Sequence, residues 1–489
     1  MNDFLFCNKE ADIRKVESID WFPLERIEKI MPRKVCLKNV KEFVKGTRKR
    51  KIFATGIMVL FLVAVLGSCG QKQEEETSES NFETKAEVEE LTIWYTDSEI
   101  ASYINQAAEA YQEQTGISVV VEEQSSIDYL ESINQTNISG EQAGVDLYVL
   151  NSDSLEKAYL AGLTAETDIG IADYPEAAVS ACVWQGKNLG YPFYYETSFF
   201  LYNKNFIENC PTNFQEILDF SVQYGSDGVT FEGIETILKW DVQNLYYNYG
   251  FIGAYLNLGG TYGDDETEID LTNESVIQAL SFYKNLNQSL YFDAAESDYD
   301  TVLEEFLNGK ILYTIAGTQS LSRLEEAAAN GMQYGIAPLL DMNDVLKSKA
   351  IATNYLVQIN PYGASETAAK DFAVFLTNTY IENFYKLTGK MSCKPIGNYE
   401  NAELVNIEKA YINSVQLPKL LKTTDYWMEL ELAFRAIWNA EIEHQAGEGT
   451  EEEDRENQAK MEEEIRAIVL EQMEKVQQQM ELQIQDGMG

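Results

Sequence analysis

Residues 190–204 read GYPFYYETSFFLYNK. Gly190 and Pro192 punctuate a turn, and Phe199, Leu201 and their neighbours form a short apolar run of strand type. Glu196 interrupts that run, with Tyr194 and Tyr195 just before it. A carboxylate among aromatic side chains near a strand is costly to bury without a partner, so either water reaches it or something polar binds it. A core strand with a satisfied glutamate and a binding site fit this segment equally well, and the flanking sequence has to decide.

The chain has 489 residues, too many for one core, which points to two lobes with appendages. Its net charge of −43 is unevenly spread. Residues 1–69 carry 14 bases and 8 acids, leaving 23 bases against 72 acids after Cys69, a balance of −49. A surface so acidic argues against nucleic acid and other polyanions as partners. The six cysteines form no CxxC and no Cys/His pairing, so neither a zinc site nor a cofactor is expected. Cys182, Cys210 and Cys393 read as buried thiols rather than a disulfide framework. The one histidine, His444, reads as a surface residue.

Upstream, residues 45–69 read KGTRKRKIFATGIMVLFLVAVLGSC, a basic cluster followed by a mostly apolar run. At about 1.5 Å per residue that run spans roughly 22 Å, short of a roughly 30 Å hydrocarbon core, so it reads as an export signal rather than a permanent span. Leu66-Gly67-Ser68-Cys69 resembles a bacterial lipobox, which implies cleavage before Cys69 and lipidation of that residue. The stretch before Lys45 is too long for an ordinary leader start; Met31 opens a more basic segment, and residues 1–30 read as an upstream extension or a misplaced start. Gln71 to Glu90 is acidic with few large apolar residues, a tether that cannot bury enough to order itself.

From Leu91 strand and helix patterns alternate. Leu91–Tyr95 reads as a strand, and Ile104, Ala107, Ala108 and Tyr111 mark a helix ending at Gly116. Ile117, Val119 and Val121 alternate on a second strand, and Val145–Leu150 is a third, followed by a short helix to Gly162. Such alternation predicts a mostly parallel α/β sheet with ligands at the carboxyl ends of strands, near Thr96–Glu99 and Asn151–Asp153.

Five blocks carry a resemblance: LTIWYTDSEIASYINQAAEAYQEQTGISVVVEE, VDLYVLNSDSLEKAYLAGLT, GYPFYYETSFFLYNKNFI, EEFLNGKILYTIAGTQSL and YGIAPL. In type, order and spacing they resemble the extracellular solute-binding proteins of sugar ABC importers, the maltose-binding-like group, over nearly all of residues 91–440. The resemblance implies a periplasmic-binding-protein-like α/β fold of two lobes joined by crossover strands, with a ligand in the cleft and hinge closure around it. The expected division is 1–69 extension and signal peptide, 70–90 tether, 91–195 with 350–412 first lobe, 196–349 with 413–446 second lobe, and 447–489 an acidic C-terminal helix. Along that last segment Ile465, Val469, Met473, Val476, Met480 and Ile484 recur at helical spacing, as expected of a helix packed on its own lobe.

Sugar recognition needs flat apolar faces and acceptors that can hold adjacent hydroxyls, which Tyr, Trp and carboxylates supply. Matched to the family, Asp153 and Glu196 correspond to ligand-contacting acids, Tyr249 to a second-lobe aromatic contact, and Asp97 and Ser98 to a strand-end hydroxyl site. Trp94, Tyr194, Tyr195 and Tyr247 are further candidates, each equally readable as core. The chain departs from maltodextrin binders at Leu150 and at Gly317-Thr318-Gln319, where they carry a stacking Trp. That puts a maltodextrin in doubt and ranks a neutral oligosaccharide or polyol first and a cationic solute second. The expectation is a monomeric, lipid-anchored receptor, with no catalytic residues and no metal, delivering its solute to ABC permease subunits at the outer face of a bacterial membrane. A surface carbohydrate-active enzyme using Asp153 and Glu196, and an adhesin or sensor-presenting protein, are the alternatives.

Overall fold

The 190–204 segment forms a 13-residue strand, Tyr191–Asn203, buried at every position except Glu196. Gly190 admits it: at φ +86, a Cβ there would sit 2.3 Å from Gln358 Nε2 and 3.1 Å from the Val357 carbonyl. In this computed structural model residues 90–486 are described, apart from 140–143, 169, 171–172, 225–229, 291, 421–424 and 445–449. The signal segment, Cys69 and nearly all of the tether lie outside the described residues.

The long strand changes partners midway. Tyr191 to Thr197 pairs antiparallel with Ile351–Ile359, and Tyr194 and Tyr195 pair on the other edge with Met391–Ser392. From Ser198 onward it pairs with Ile311–Gly317, and from Phe200 to Asn203 with Tyr334–Ala337 as well. The change from Ile351–Ile359 to Ile311–Gly317 falls between Thr197 and Ser198, so one strand serves two half-sheets. Pro192 is tolerated because the register with Ile351–Ile359 is irregular between Tyr355 and Leu356, where a ladder donor is not required.

The ten-stranded sheet extends outward from this strand. On the first-lobe side, Glu90–Tyr95 lies parallel between Ser118–Glu123 and Leu147–Asn151. On the second-lobe side Thr236–Leu238 runs parallel to Ile311–Gly317. Within this sheet every antiparallel pair includes Tyr191–Asn203 or Ile351–Ile359, the strands that carry the chain out and back, because a returning segment enters the sheet in the reverse sense. The third crossing, Val415–Gln416, pairs parallel with Ile351–Ala352. The helix expected to end at Gly116 spans Ala101–Thr115, and Gly116 closes it in the left-handed conformation.

Two segments are irregular. Residues 366–388 form the helix Glu366–Val374, a wide π turn at Phe375–Thr379, and short turns ending at Phe384–Thr388. There the Tyr103 hydroxyl donates to the Leu376 carbonyl at 2.6 Å, and the widened turn buries Phe375, Leu376, Ile381 and Phe384 together. The Tyr-rich stretch near 240–260 holds the one-turn helix Leu245–Asn248, a 3-10 turn, Tyr249–Phe251, and the short strand Asn257–Gly259.

The C-terminal helix Glu451–Asp486 lays Ile465, Val469, Met473, Val476 and Met480 into the second-lobe core, against helices Glu274–Leu290 and Tyr426–Asn439. Arg466 pairs with Glu274 at 2.6 Å along the seam, and Gln477 Oε1 accepts from the Leu271 amide at 3.1 Å. Cys182, Cys210 and Cys393 are free thiols, Cys182 and Cys393 being buried. Among the described residues no helix is long and apolar enough to cross a membrane.

A buried ammonium ties the third crossing to both sides. Lys419 Nζ donates to the carbonyls of Ser180 at 2.7 Å, Val183 at 2.6 Å and Tyr262 at 2.7 Å. Burial pushes its pKa down to about 8, with Asp264 and Cys182 opposing the fall. Three carbonyls need three N–H donors, which the ammonium supplies and the neutral amine does not.

Met473→Ala should cost about 2–5 kcal/mol in urea unfolding, the range for emptying a buried methionine site. Lys419→Met should cost about 2–4 kcal/mol at pH 7 because buried carbonyls lose their donors. Since the lysine's pKa is lowered on folding, the native state gives up that proton first. Wild-type stability relative to Lys419→Met should therefore rise from about pH 8 towards 10.5, by at most about 1.4 kcal/mol per unit.

Candidate functional site

Asp97 follows the strand Glu90–Tyr95 and caps the turn Ser98–Ile100, its Oδ1 accepting from the Glu99 amide at 3.0 Å. Its other oxygen accepts from the Tyr194 hydroxyl at 2.9 Å and meets Lys390 Nζ at 3.1 Å. The same ammonium lies 2.8 Å from Glu99 Oε2 and 3.3 Å from Glu196 Oε1. Three carboxylates from two separate strands thus converge on one lysine.

Local structure explains how Lys390 gets there. The helix Phe384–Thr388 stops at Gly389, which takes φ 69, and the Lys390 amide donates to Thr388 Oγ1 at 3.0 Å. Met391 then pairs with Tyr195 in antiparallel register, which sets the preceding Lys390 opposite Glu196. Only 13% of the lysine side chain is exposed. Burial pulls its pKa down, but the hydrogen bond to Glu99 and the charges of Asp97 and Glu196 outweigh that and hold the ammonium well above the ordinary lysine range.

Aromatic rings frame the cluster. Tyr194 and Tyr355 are cross-strand partners and stack face to face, with centroids 4.2 Å apart and planes 6° from parallel. Tyr355 is half-buried, and its phenol is raised by burial first, then by Glu196, Asp97 and Asp153, with Lys390 opposing. That one ring therefore neighbours Glu196, Lys390, Asp97 and Asp153. Asp153 sits in the turn Ser152–Ser154 after Leu147–Asn151, whose Asn151 is the register partner of Tyr355. Water reaches Asp153, yet the surrounding protein desolvates its carboxyl enough to raise it, while Ser154 Oγ donates back at 3.0 Å. An exposed side chain in crowded surroundings lies in a concave site.

The second lobe contributes Tyr246 from the helix Leu245–Asn248, capped by Asn244, whose Oδ1 accepts from the Tyr246 amide at 3.0 Å. Burial raises the Tyr246 hydroxyl, with Glu196, Tyr299 and Tyr355 adding to the effect, so that hydroxyl lies in the neighbourhood of Glu196 and Tyr355. Behind it Tyr247 stacks on Tyr299 at 5.0 Å and accepts from Gln319 Nε2 at 2.6 Å.

The structure thus brings Asp97, Asp153, Glu196 and Tyr194 together, with Ser98 exposed beside Asp97. It places the other candidates elsewhere. Tyr195 faces the opposite side of the strand and stacks on Tyr411 at 3.6 Å. Trp94 donates to Glu122 Oε2 at 2.7 Å and packs beside Tyr148 and Leu150. Tyr249 is buried against Trp427 and Tyr426 and borders a separate hollow of about 780 Å³ that none of the clustered acids lines. Lys390, Tyr355 and Tyr246 were not singled out in the sequence. Among the described residues no group of three His, Cys, Asp or Glu side chains is placed to hold a metal ion.

Comparison with known proteins bears on the family and the fold. The sequence profile described as bacterial extracellular solute-binding protein matches residues 106–394, more than half of the chain. A maltooligosaccharide ABC transporter solute-binding lipoprotein of Streptococcus pneumoniae is 24% identical over 380 residues, covering 74% of this chain and 86% of that protein. A maltotriose-binding protein of Pyrococcus abyssi is 28% identical over 202 residues, 40% of this chain and 42% of that protein. Among solved structures, an extracellular solute-binding protein of Staphylococcus aureus in complex with maltose shares the fold at TM-score 0.64 and 20% identity, covering 78% of this chain and 98% of its own. A cyclo/maltodextrin-binding protein complexed with maltotetraose gives a TM-score of 0.63 at 18% identity, covering 80% and 98%. The profile begins within the helix that follows Asp97 and ends just past the strand beside Lys390, so it takes in most of the elements that build the cleft, and this chain belongs to the bacterial extracellular solute-binding proteins.

Proposed function

We propose that the cleft captures a short neutral oligosaccharide outside the cell and that the protein hands it to an ABC transporter. The observation that carries this reading is the pairing of acceptors with ring faces. Lys390 has spent its three donors on Asp97, Glu99 and Glu196, and both Asp97 oxygens are taken. Glu196, one oxygen of which is on Lys390, and the exposed Asp153 are the carboxylates left to accept from sugar hydroxyls. Tyr355 on one lobe and Tyr246 on the other supply the flat apolar surface that pyranose C–H faces need.

The relatives named for maltooligosaccharide and maltotriose make α-linked glucose oligomers the first candidates. Leu150 is buried in a first-lobe cluster and Gln319 is held on Tyr247, so neither offers a ring. Stacking in this chain therefore falls to the tyrosines. On the export reading the receptor sits at the outer face of the membrane, tethered through a lipid on Cys69, and acts as a single copy.

Maltotriose added at about a hundred times its dissociation constant should stabilise the protein by about 2.7 kcal/mol in a thermal melt. Glu196→Gln should weaken that binding roughly tenfold, about 1.4 kcal/mol, because a charge-assisted acceptor becomes a neutral one. Absence of any shift across a panel of neutral oligosaccharides and polyols would overturn the reading. Metabolic labelling with a fatty acid should mark the wild type and leave Cys69→Ala unlabelled.

A further inference from the structure

We propose that Lys390 is a built-in counter-ion that makes the cleft selective for uncharged over cationic ligands. The shell around its ammonium has the composition of a cation site: three carboxylates within 3.3 Å, and the Tyr194 ring with its centroid 5.5 Å from Nζ. Carboxylates beside an aromatic face are what a protein uses to hold a primary or quaternary amine. Here the place is already filled from within the chain. Each N–H of the ammonium has a carboxylate, so Lys390 has no donor left for a ligand, and its part is to position acceptors rather than to bind.

The lysine is held firmly enough to keep competitors out. Its backbone is fixed between the Gly389 helix end and the paired strand Met391–Ser392, and the side chain is mostly buried. A group tethered this way competes with free amines at an effective concentration on the order of millimolar or more. With the lysine present, Asp97 is saturated and turned inward, and Glu196 is steadied with one oxygen outward. Without it, Asp97, Glu99 and Glu196 would converge unpaired, and the vacated place would suit a small ammonium ion. The acidic surface of this protein draws cations towards the cleft, which makes such a device useful.

The test uses Lys390→Ala, ethylammonium chloride and sodium chloride at matched ionic strength. In thermal melts the variant should start below the wild type and rise with ethylammonium in a saturable way, while the wild type responds to the two salts alike. Equal responses of the variant to both salts would overturn the proposal. A second arm rests on the carbohydrate reading: maltotriose affinity should fall roughly tenfold or more in the variant and recover with ethylammonium. A loss that ethylammonium does not restore would reduce Lys390 to a structural role and overturn the proposal. If the wild type binds no oligosaccharide, the carbohydrate reading fails while the amine arm still decides the role of Lys390. Should Lys390→Ala not fold, Lys390→Met keeps the stem and leaves only the place of the ammonium empty, so ammonium chloride replaces ethylammonium, and its failure to raise the melting point or soluble yield of that variant above the level in sodium chloride overturns the proposal.

Discussion

A β-strand can hydrogen-bond along both edges, and here one strand uses that capacity twice. The ladder of Tyr191–Asn203 belongs to Ile351–Ile359 up to Thr197 and to Ile311–Gly317 from Ser198 on, with Met391–Ser392 added at Tyr194–Tyr195 and Tyr334–Ala337 at Phe200–Asn203. Pairing passes from Ile351–Ile359 to Ile311–Gly317 at adjacent residues, and the Thr197 amide donates to Thr318 Oγ1 at 3.3 Å, which lets the junction be buried. It also means that the two half-sheets share one rigid rod at their boundary. The single side chain on that rod that is not buried is Glu196, the residue at the junction that faces the cleft.

The site follows from where that carboxylate emerges. Strand register puts Lys390 opposite it and Tyr355 opposite Tyr194, and the strand-end turns bring in Asp97 and Asp153. The charges are then sorted by satisfaction. Asp97 is consumed by a tyrosine, an amide and an ammonium, and serves as scaffold, whereas Glu196 and Asp153 keep contact with solvent. A cleft with four acids thus offers few free acceptors, arranged beside aromatic surface, which suits an uncharged polyhydroxylated molecule better than the raw composition suggests.

Much of this was legible in the chain. Glu196 announced itself as the one charged residue in an apolar run, and the stripe from Ile465 to Ile484 pointed to the buried face of the last helix. Gly116 marked a helix end that needed a left-handed residue. What could not be read depends on pairing between distant segments. Lys390 is 194 positions from Glu196, and only the strand register makes them neighbours. Tyr246 and Tyr249 lie three residues apart in a stretch with barely one helical turn, too short for periodicity to say which ring faces out. Tyr195 is different, since the two-residue alternation of a strand already separates it from Tyr194 and Glu196.

The Lys419 clasp bears on how the protein is made. Its bond to Ser180 joins positions 239 residues apart, and that to Tyr262 spans 157. The chain must leave the first lobe, build the second, return, and cross a third time before this ammonium has its three carbonyls. Closing so long a loop is paid in entropy before any contact rewards it, so the clasp forms late, after the intervening segments have found their own partners. Interactions absent from the folding transition state act on the unfolding rate. The clasp is therefore a kinetic seal: it contributes little to the speed at which a newly exported chain folds, and much to how long the finished receptor survives outside the cell, where unfolded chains meet proteases and no chaperone system of the cytoplasm.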